Sequence, residues 1–151
     1  MNRYPIKCSY FRSILLFAVV GVTSFSAANA GVVVEDAYIR GLPPGQQVTA
    51  AFFRLTNQSQ QACALLGAST PVSGNAEIHA HSHQNGMMRM RRLEQVVLPV
   101  GETVAFKPGG FHLMLFGVQQ PLVDGDSHTV TLFFKGCSEQ TVTAEVRSVL
   151  R

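Results

Sequence analysis

Four methionines and four histidines crowd one stretch of the chain: His79, His81, His83, Met87, Met88, Met90, His112 and Met114. Between residue 31 and the end no other methionine occurs, and His128 is the one histidine outside that stretch. Both residue types ligate metals, and together they suit copper: soft thioether sulfur selects Cu(I), while imidazole serves Cu, Zn and Fe alike. Zinc would more often recruit cysteine, or carboxylate beside histidine. Neutral thioethers also leave the ion exchangeable and avoid a thiolate that oxidants would attack. In an extended strand, residues i and i+2 share a face. His112 and Met114 therefore project together, while Phe111, Leu113 and Leu115 point the other way, into a core. His79, His81 and His83 share one face of an earlier strand, and Met88 and Met90 share a face of the next. Met90 sits between Arg89 and Arg91, a pattern foreign to a core strand. One His-x-Met pair, or one histidine triplet, is ordinarily a surface feature. Two such groups in a chain otherwise short of methionine point to copper binding, with Met87, Met88, His81 and His83 either assisting capture or standing as solvated side chains.

The elements that must carry these residues are short. Alternating runs are predicted at 37–40, 49–57, 63–67, 76–82, 87–91, 96–98, 103–106, 112–116, 128–134 and 141–146. Turn signals separate them, notably Gly41-Leu42-Pro43-Pro44-Gly45, Pro71-Val72-Ser73-Gly74-Asn75, Gln84-Asn85-Gly86, Pro108-Gly109-Gly110 and Asp124-Gly125-Asp126. No stripe of helical period appears after residue 30. Short strands at roughly regular spacing, with Gly and Pro between them, predict an all-β domain, a β-sandwich or barrel. The Asp126-Ser127-His128 run reads as a strand start.

The first thirty residues read differently. Arg3, Lys7 and Arg12 precede an apolar run from Ile14 to Val22, and Ala28-Asn29-Ala30 follows. This is the tripartite pattern of a secretory signal peptide cleaved after Ala30, leaving residues 31–151 as the exported domain with Gly31 first. The apolar run is shorter than the stretch of about 18 residues that a membrane span requires, so no stable anchor is expected after cleavage. Cys8 precedes that run, which excludes it as a lipidated residue just after the cleavage site. The signal holds three of the 12 Lys and Arg and none of the nine acids, so the formal charge of +3 belongs wholly to it. The remaining domain is formally neutral, which argues against nucleic-acid binding. Arg89, Arg91 and Arg92 read as a solvated strand face.

Cys63 and Cys137 remain after cleavage, in an oxidising compartment where disulfides persist. Pairing is expected, with two buried thiols or two metal ligands as the competing readings. Enzymes find little support. No Gly-x-Ser-x-Gly elbow accompanies the histidines. A blue-copper electron carrier needs a cysteine ligand, and none lies in the cluster. A copper enzyme using an N-terminal histidine conflicts with Gly31.

With these residues in view, the chain resembles the periplasmic copper chaperones of the PCu(A)C family. Their pattern of a His, a Met, a His and a Met is matched in every spacing by His79, Met90, His112 and Met114. The stretch Lys107-Pro108-Gly109-Gly110-Phe111-His112-Leu113-Met114-Leu115 is similar as well. So are Ala51-Phe52-Phe53-Arg54-Leu55-Thr56-Asn57, Leu66-Gly67-Ala68-Ser69 and Pro121-Leu122-Val123-Asp124-Gly125-Asp126. The resemblance implies a cupredoxin-like antiparallel β-sandwich in the periplasm that binds Cu(I) near its surface through His79, Met90, His112 and Met114. It also implies delivery of copper for cytochrome c oxidase assembly, with an oxidase subunit or a thioredoxin-like copper chaperone as recipient. The alternative is a copper-scavenging or tolerance protein with no dedicated recipient. Two departures stand out. His81 stands where many members have a methionine near the first His, which would admit Cu(II). The sequence ends at Arg151 with no His/Met-rich tail, so a second copper site of that kind is not expected.

Overall fold

A computed structural model describes residues 31–84 and 87–148, with His83 and Gln84 described through their backbone. The signal reading over 1–30 and the tip of the Gln84-Asn85-Gly86 turn lie outside the described residues. Ten strands make up the regular structure of the described residues: β1 Val32–Arg40, β2 Val48–Asn57, β3 Cys63–Ser69, β4 Ser73–Gln84, β5 Met87–Arg92, β6 Val96–Leu98, β7 Thr103–Phe106, β8 Phe111–Val118, β9 Ser127–Lys135 and β10 Gln140–Arg147. All ten expected strands are present, most of them longer than the alternating runs.

One expected turn is shorter than its sequence suggests. The Pro71 turn ends at Val72, and β4 begins at Ser73. Two interactions account for this. Ser73 N donates to Thr70 O at 3.3 Å, closing the turn early. Ser73 and Asn75 then pair with Val118 and Phe116 of β8, so long-range pairing overrides the local preference of Gly74 and Asn75 for a turn.

The hydrogen-bonded order is β5-β4-β8-β7-β2-β1-β10-β9-β3-β6, with β8 also pairing β2. This ladder folds back so that β3 packs against β4 and β2 against β6. Between the two layers lie Ile39, Leu55, Leu65, Ile78, Leu98, Leu113, Leu115 and Leu132, all essentially inaccessible to water. Each such side chain contributes about 1.5–3 kcal/mol on burial. The antiparallel expectation needs amending at two places, because β1 pairs β10, and β7 pairs β8, in parallel. Parallel pairing of the first and last strands follows from joining two layers, since a purely meandering sheet would leave both as edges.

An irregularity in β1 aims its second half. Register slips between Glu35 and Tyr38, and Asp36 adopts φ 52°, a left-handed conformation that Asp tolerates better than most residues. Arg54 holds the spot, with its guanidinium 3.5 Å from Glu35 and 3.0 Å from Asp36. Beyond the slip, Tyr38–Arg40 run beside β10 as well as β2. That places Tyr38 against Phe52 at 5.0 Å between ring centroids, and the Arg40 guanidinium over Phe52 at 5.2 Å.

Candidate metal centre

Three adjacent strands assemble the cluster. On β4 and β8, His79 lies opposite His112 and Glu77 opposite Met114. On β4 and β5, His81 lies opposite Met90, His83 opposite Met88, and His79 opposite Arg92. Ala50 of β2 lies opposite Met114 on its other side. Alternation along β8 sends Leu113 and Leu115 into the core, leaving His112 and Met114 on the outer face with His79 and His81. The ring centroids of His81 and His112 are 4.8 Å apart, and those of His79 and His112 are 6.0 Å apart.

Burial and hydrogen bonding prepare the imidazoles as lone-pair donors. His112 is only 3% exposed, covered in part by Phe52 at 6.5 Å between ring centroids. Its Nδ1 donates to the Gly110 carbonyl at 3.0 Å. That bond leaves the Nε2 lone pair unused, and Nε2 is buried with no hydrogen-bond partner. His79 mirrors the arrangement: Nε2 donates to the Glu77 carboxylate at 3.0 Å, and buried Nδ1 has no partner. A carboxylate or carbonyl behind one ring nitrogen, with the other nitrogen free, is the usual setting of a metal-binding histidine. His81 adds a third buried, unpartnered nitrogen, its Nδ1. Leaving such atoms unpaired costs free energy unless a ligand arrives.

Charge works in the same direction. Burial lowers the pKa of His112 below its ordinary 6.5, the Gly110 bond opposes this, and His81, His79 and Arg40 reinforce it by repulsion. The ring is therefore neutral at pH 7, the form that ligates. Glu77 is held below its ordinary 4.5 chiefly by the His79 hydrogen bond, with Arg92 and Asn75 adding to the effect and burial opposing it. Arg92 lies 3.4 Å from Glu77.

A cavity of about 200 Å³ opens on this face, its walls including His81, Met90, His112, Met114, Phe52 and Arg40. A neighbouring cavity of about 370 Å³ shares Met90, Met114 and Arg40. Among the described residues no group of three or more His, Cys, Asp or Glu side chains is placed to hold a metal ion. The further donors on this face are the thioethers of Met90 and Met114.

The other candidates are dispersed. Met87, Met88 and Met90 are all exposed on β5, at 55%, 61% and 49%, and of these Met90 alone lines the cavities. His83 pairs with Met88 through the backbone register. Arg89 and Arg91 are exposed, as expected of a solvated strand face. His128 follows Ser127 at the start of β9, away from the cluster. Cys63 and Cys137 are joined as a disulfide with Cα atoms 5.6 Å apart, and Ser59 Oγ lies 3.6 Å and 3.5 Å from their sulfurs.

Sequence reasoning missed the supporting groups. Glu77 stands two residues before His79, on the same face of β4, and that spacing was the available signal. Phe52 and Arg40 carry no such signal, because only the pairing of β1, β2 and β8 brings them to His112, and the Gly110 carbonyl, two residues before His112, is a backbone group that no side chain announces.

A model of the family described as "Putative lipoprotein LpqE-like" matches residues 32–146. Lxx21020 of Leifsonia xyli subsp. xyli is 30% identical over 118 residues, covering 78% of this chain and 70% of that protein. RP573 of Rickettsia prowazekii is 30% identical over 99 residues, and the chain spans 55% of its length. The solution structure of CuI-DR1885 from Deinococcus radiodurans matches with TM-score 0.66 and 30% identity, over 83% of this chain and 85% of that one. The copper-bound PCuAC domain from PmoF2 matches with TM-score 0.66 and 21% identity, over 80% and 96% respectively. These likenesses bear out the expected all-β, cupredoxin-like fold, and the chain belongs to the LpqE-like family.

Proposed function

We propose that the protein is a copper carrier, holding one Cu(I) as cargo on the outer face of β4, β5 and β8. The observation that carries this reading is the set of buried imidazole nitrogens without partners, gathered beside two thioethers on one face. His112 Nε2 and His79 Nδ1 supply nitrogen, and Met90 and Met114 supply sulfur, a mixed set suited to Cu(I). Likeness to copper-bound solved structures supports the same reading. The chemistry this chain performs is capture and release rather than bond-making. Met114 and His112 form the firm side, set in a central strand. Met90, exposed on the edge strand, forms the yielding side, from which an acceptor can take the ion by stepwise ligand exchange. Thioethers carry no charge, so that exchange requires no proton transfer at sulfur.

The setting belongs to the same proposal. Residues 1–30 direct export and are cleaved after Ala30, and the domain works in the periplasm. Its ion is destined for cytochrome c oxidase assembly, through an oxidase subunit or a thioredoxin-like copper chaperone. Competition with a chromophoric Cu(I) chelator tests the site: replacing both His112 and Met114 by Ala should weaken Cu(I) binding by about two orders of magnitude or more. Unchanged affinity defeats the assignment. A deletion strain tests the destination. Oxidase activity lost at low copper and restored by added copper supports delivery, whereas copper sensitivity with normal oxidase points to scavenging.

A further inference from the structure

The Cys63–Cys137 cystine stands apart from the metal centre, and its two sulfurs have unlike surroundings. Cys63 opens β3 and is buried, at 2% exposure. Cys137, in the turn between β9 and β10, is half-buried. It forms part of the wall of a cavity of about 570 Å³, together with Gly31, Ser59, Gln60, Gln61, Gly136 and Ser138. We propose that this cystine is a thiol–disulfide exchange site, at which a small peptidyl thiol of the glutathione class attacks Cys137 and displaces Cys63. The proposal goes beyond the copper-carrier reading and does not rest on it.

Exchange requires a thiolate to reach one of the two sulfurs, and exposed cystines are the labile ones. The cavity opens on Cys137 and not on Cys63, which fixes the sulfur attacked. Its volume falls within the range of about 300–1,000 Å³ usual for small-ligand sites, enough for a tripeptide. The side chains of Ser59, Gln60, Gln61 and Ser138 line it with hydroxyls and amides and no charge, a surface suited to peptide groups.

Ser59 attends the sulfurs directly. Its Oγ lies 3.5 Å from Cys137 Sγ and 3.6 Å from Cys63 Sγ. The hydroxyl has a single proton, and with the cystine closed its oxygen acceptors are Asn57 Oδ1 at 2.7 Å and the Gln61 carbonyl at 2.8 Å. A thiolate on Cys63 would draw that proton more strongly, because hydrogen bonds to ionised groups are the stronger ones. In the exchange, the incoming thiolate forms a bond to Cys137 Sγ while the bond between Cys137 and Cys63 breaks. The electron pair leaves on Cys63 Sγ, which takes up from water the proton that the incoming thiol gave up. One disulfide replaces another, so no separate oxidant or reductant is needed. The new Cys63 thiol has the Gln61 carbonyl 3.7 Å away as an acceptor.

Two features hold the pair ready to close again. Gln61 Nε2 donates to the Gly136 carbonyl, tying the segment before Cys63 to the turn that carries Cys137. Gly136, at φ 84°, lets that turn approach so closely that a Cβ there would meet the Ala62 carbonyl oxygen at 3.0 Å. Cys63 can then attack Cys137 in turn and expel the small thiol.

The test treats metal-free protein with reduced glutathione, traps free thiols with a maleimide and maps the products by mass spectrometry. Wild type should carry glutathione on Cys137 and the maleimide on Cys63. With oxidised glutathione, Cys63→Ser should acquire its adduct on Cys137 at least about tenfold faster than Cys137→Ser acquires one on Cys63. Ser59→Ala should open the cystine about fivefold more slowly than wild type. Circular dichroism checks folding, and the wild-type map needs no substitution should a variant fail to fold. Glutathione on Cys63, equal rates in the two single variants, or an unaltered rate in Ser59→Ala overturns the proposal. So does a wild-type cystine that thioredoxin reduces but that forms no adduct with glutathione.

Discussion

At the scale of single residues, His112 carries the strongest consequence. It is neutral because it is buried, and its folded pKa lies below the ordinary 6.5. The unfolded chain therefore binds a proton at this position at a higher pH than the folded protein does. Stability from the neutral ring is fully present above about 6.5 and is lost as pH falls through the folded pKa. Glu77 has the same sign, but its window opens only below its ordinary 4.5. Thermal unfolding of the copper-free protein should thus show Tm declining as pH drops from about 6.5, before Glu77 begins to take up its proton. The slope should flatten in His112→Gln, and a wild-type Tm independent of pH between 5 and 7 would refute this account. Much of the residue scale was legible: alternation alone placed His112 and Met114 on the face opposite Leu113 and Leu115. The pairing of Glu77 with His79 was not read, because an acid two residues before a histidine is ordinary until both are seen on one strand with the ring nitrogen aimed at the carboxylate.

Elements show where alternation stops being informative. All ten strands followed from apolar periodicity and turn residues, yet register did not. The motif gives His79 and Met90 a spacing but no register, and the strands put His81 opposite Met90 and Arg92 opposite His79. Register depends on where the hairpin turns and on how β4 is held by β8, and neither is written in the local pattern. The most unusual element is β5, six residues long and exposed at every position. It contributes nothing to the core, so its methionines are free of packing duties. Met90→Ala should therefore change stability by no more than about 0.5 kcal/mol, while weakening Cu(I) binding by about tenfold or more. Denaturant unfolding and chelator competition on the same preparation separate the two effects. A large loss of stability with copper affinity intact would make Met90 a packing residue.

For the whole molecule, the class of fold was legible and the closure of the sheet was not. Ten alternating strands predict two layers, but nothing local announces that β1 runs parallel to β10 or that the hydrogen-bonded ladder is continuous from β5 to β6. Those pairings unite residues at opposite ends of the chain and are settled by the shared core. The proposed copper site and the covalent closure sit on different layers of this molecule. The site lies on β4, β5 and β8, whereas the disulfide ties the start of β3 to the segment after β9 across 74 residues of sequence. Neither sulfur lines the cavity that holds His112 and Met114. Closing a loop of that length restricts the unfolded chain by about 4 kcal/mol in the chain-entropy picture. The double replacement Cys63→Ser/Cys137→Ser should therefore lose a comparable amount of stability while keeping Cu(I) affinity within about threefold, provided the protein is assayed well below its lowered Tm. Chemical denaturation gives the first quantity and chelator competition the second. Copper affinity that collapses in protein shown to be folded would mean that the two layers are coupled, and that the cystine acts on the site through β3 packed against β4.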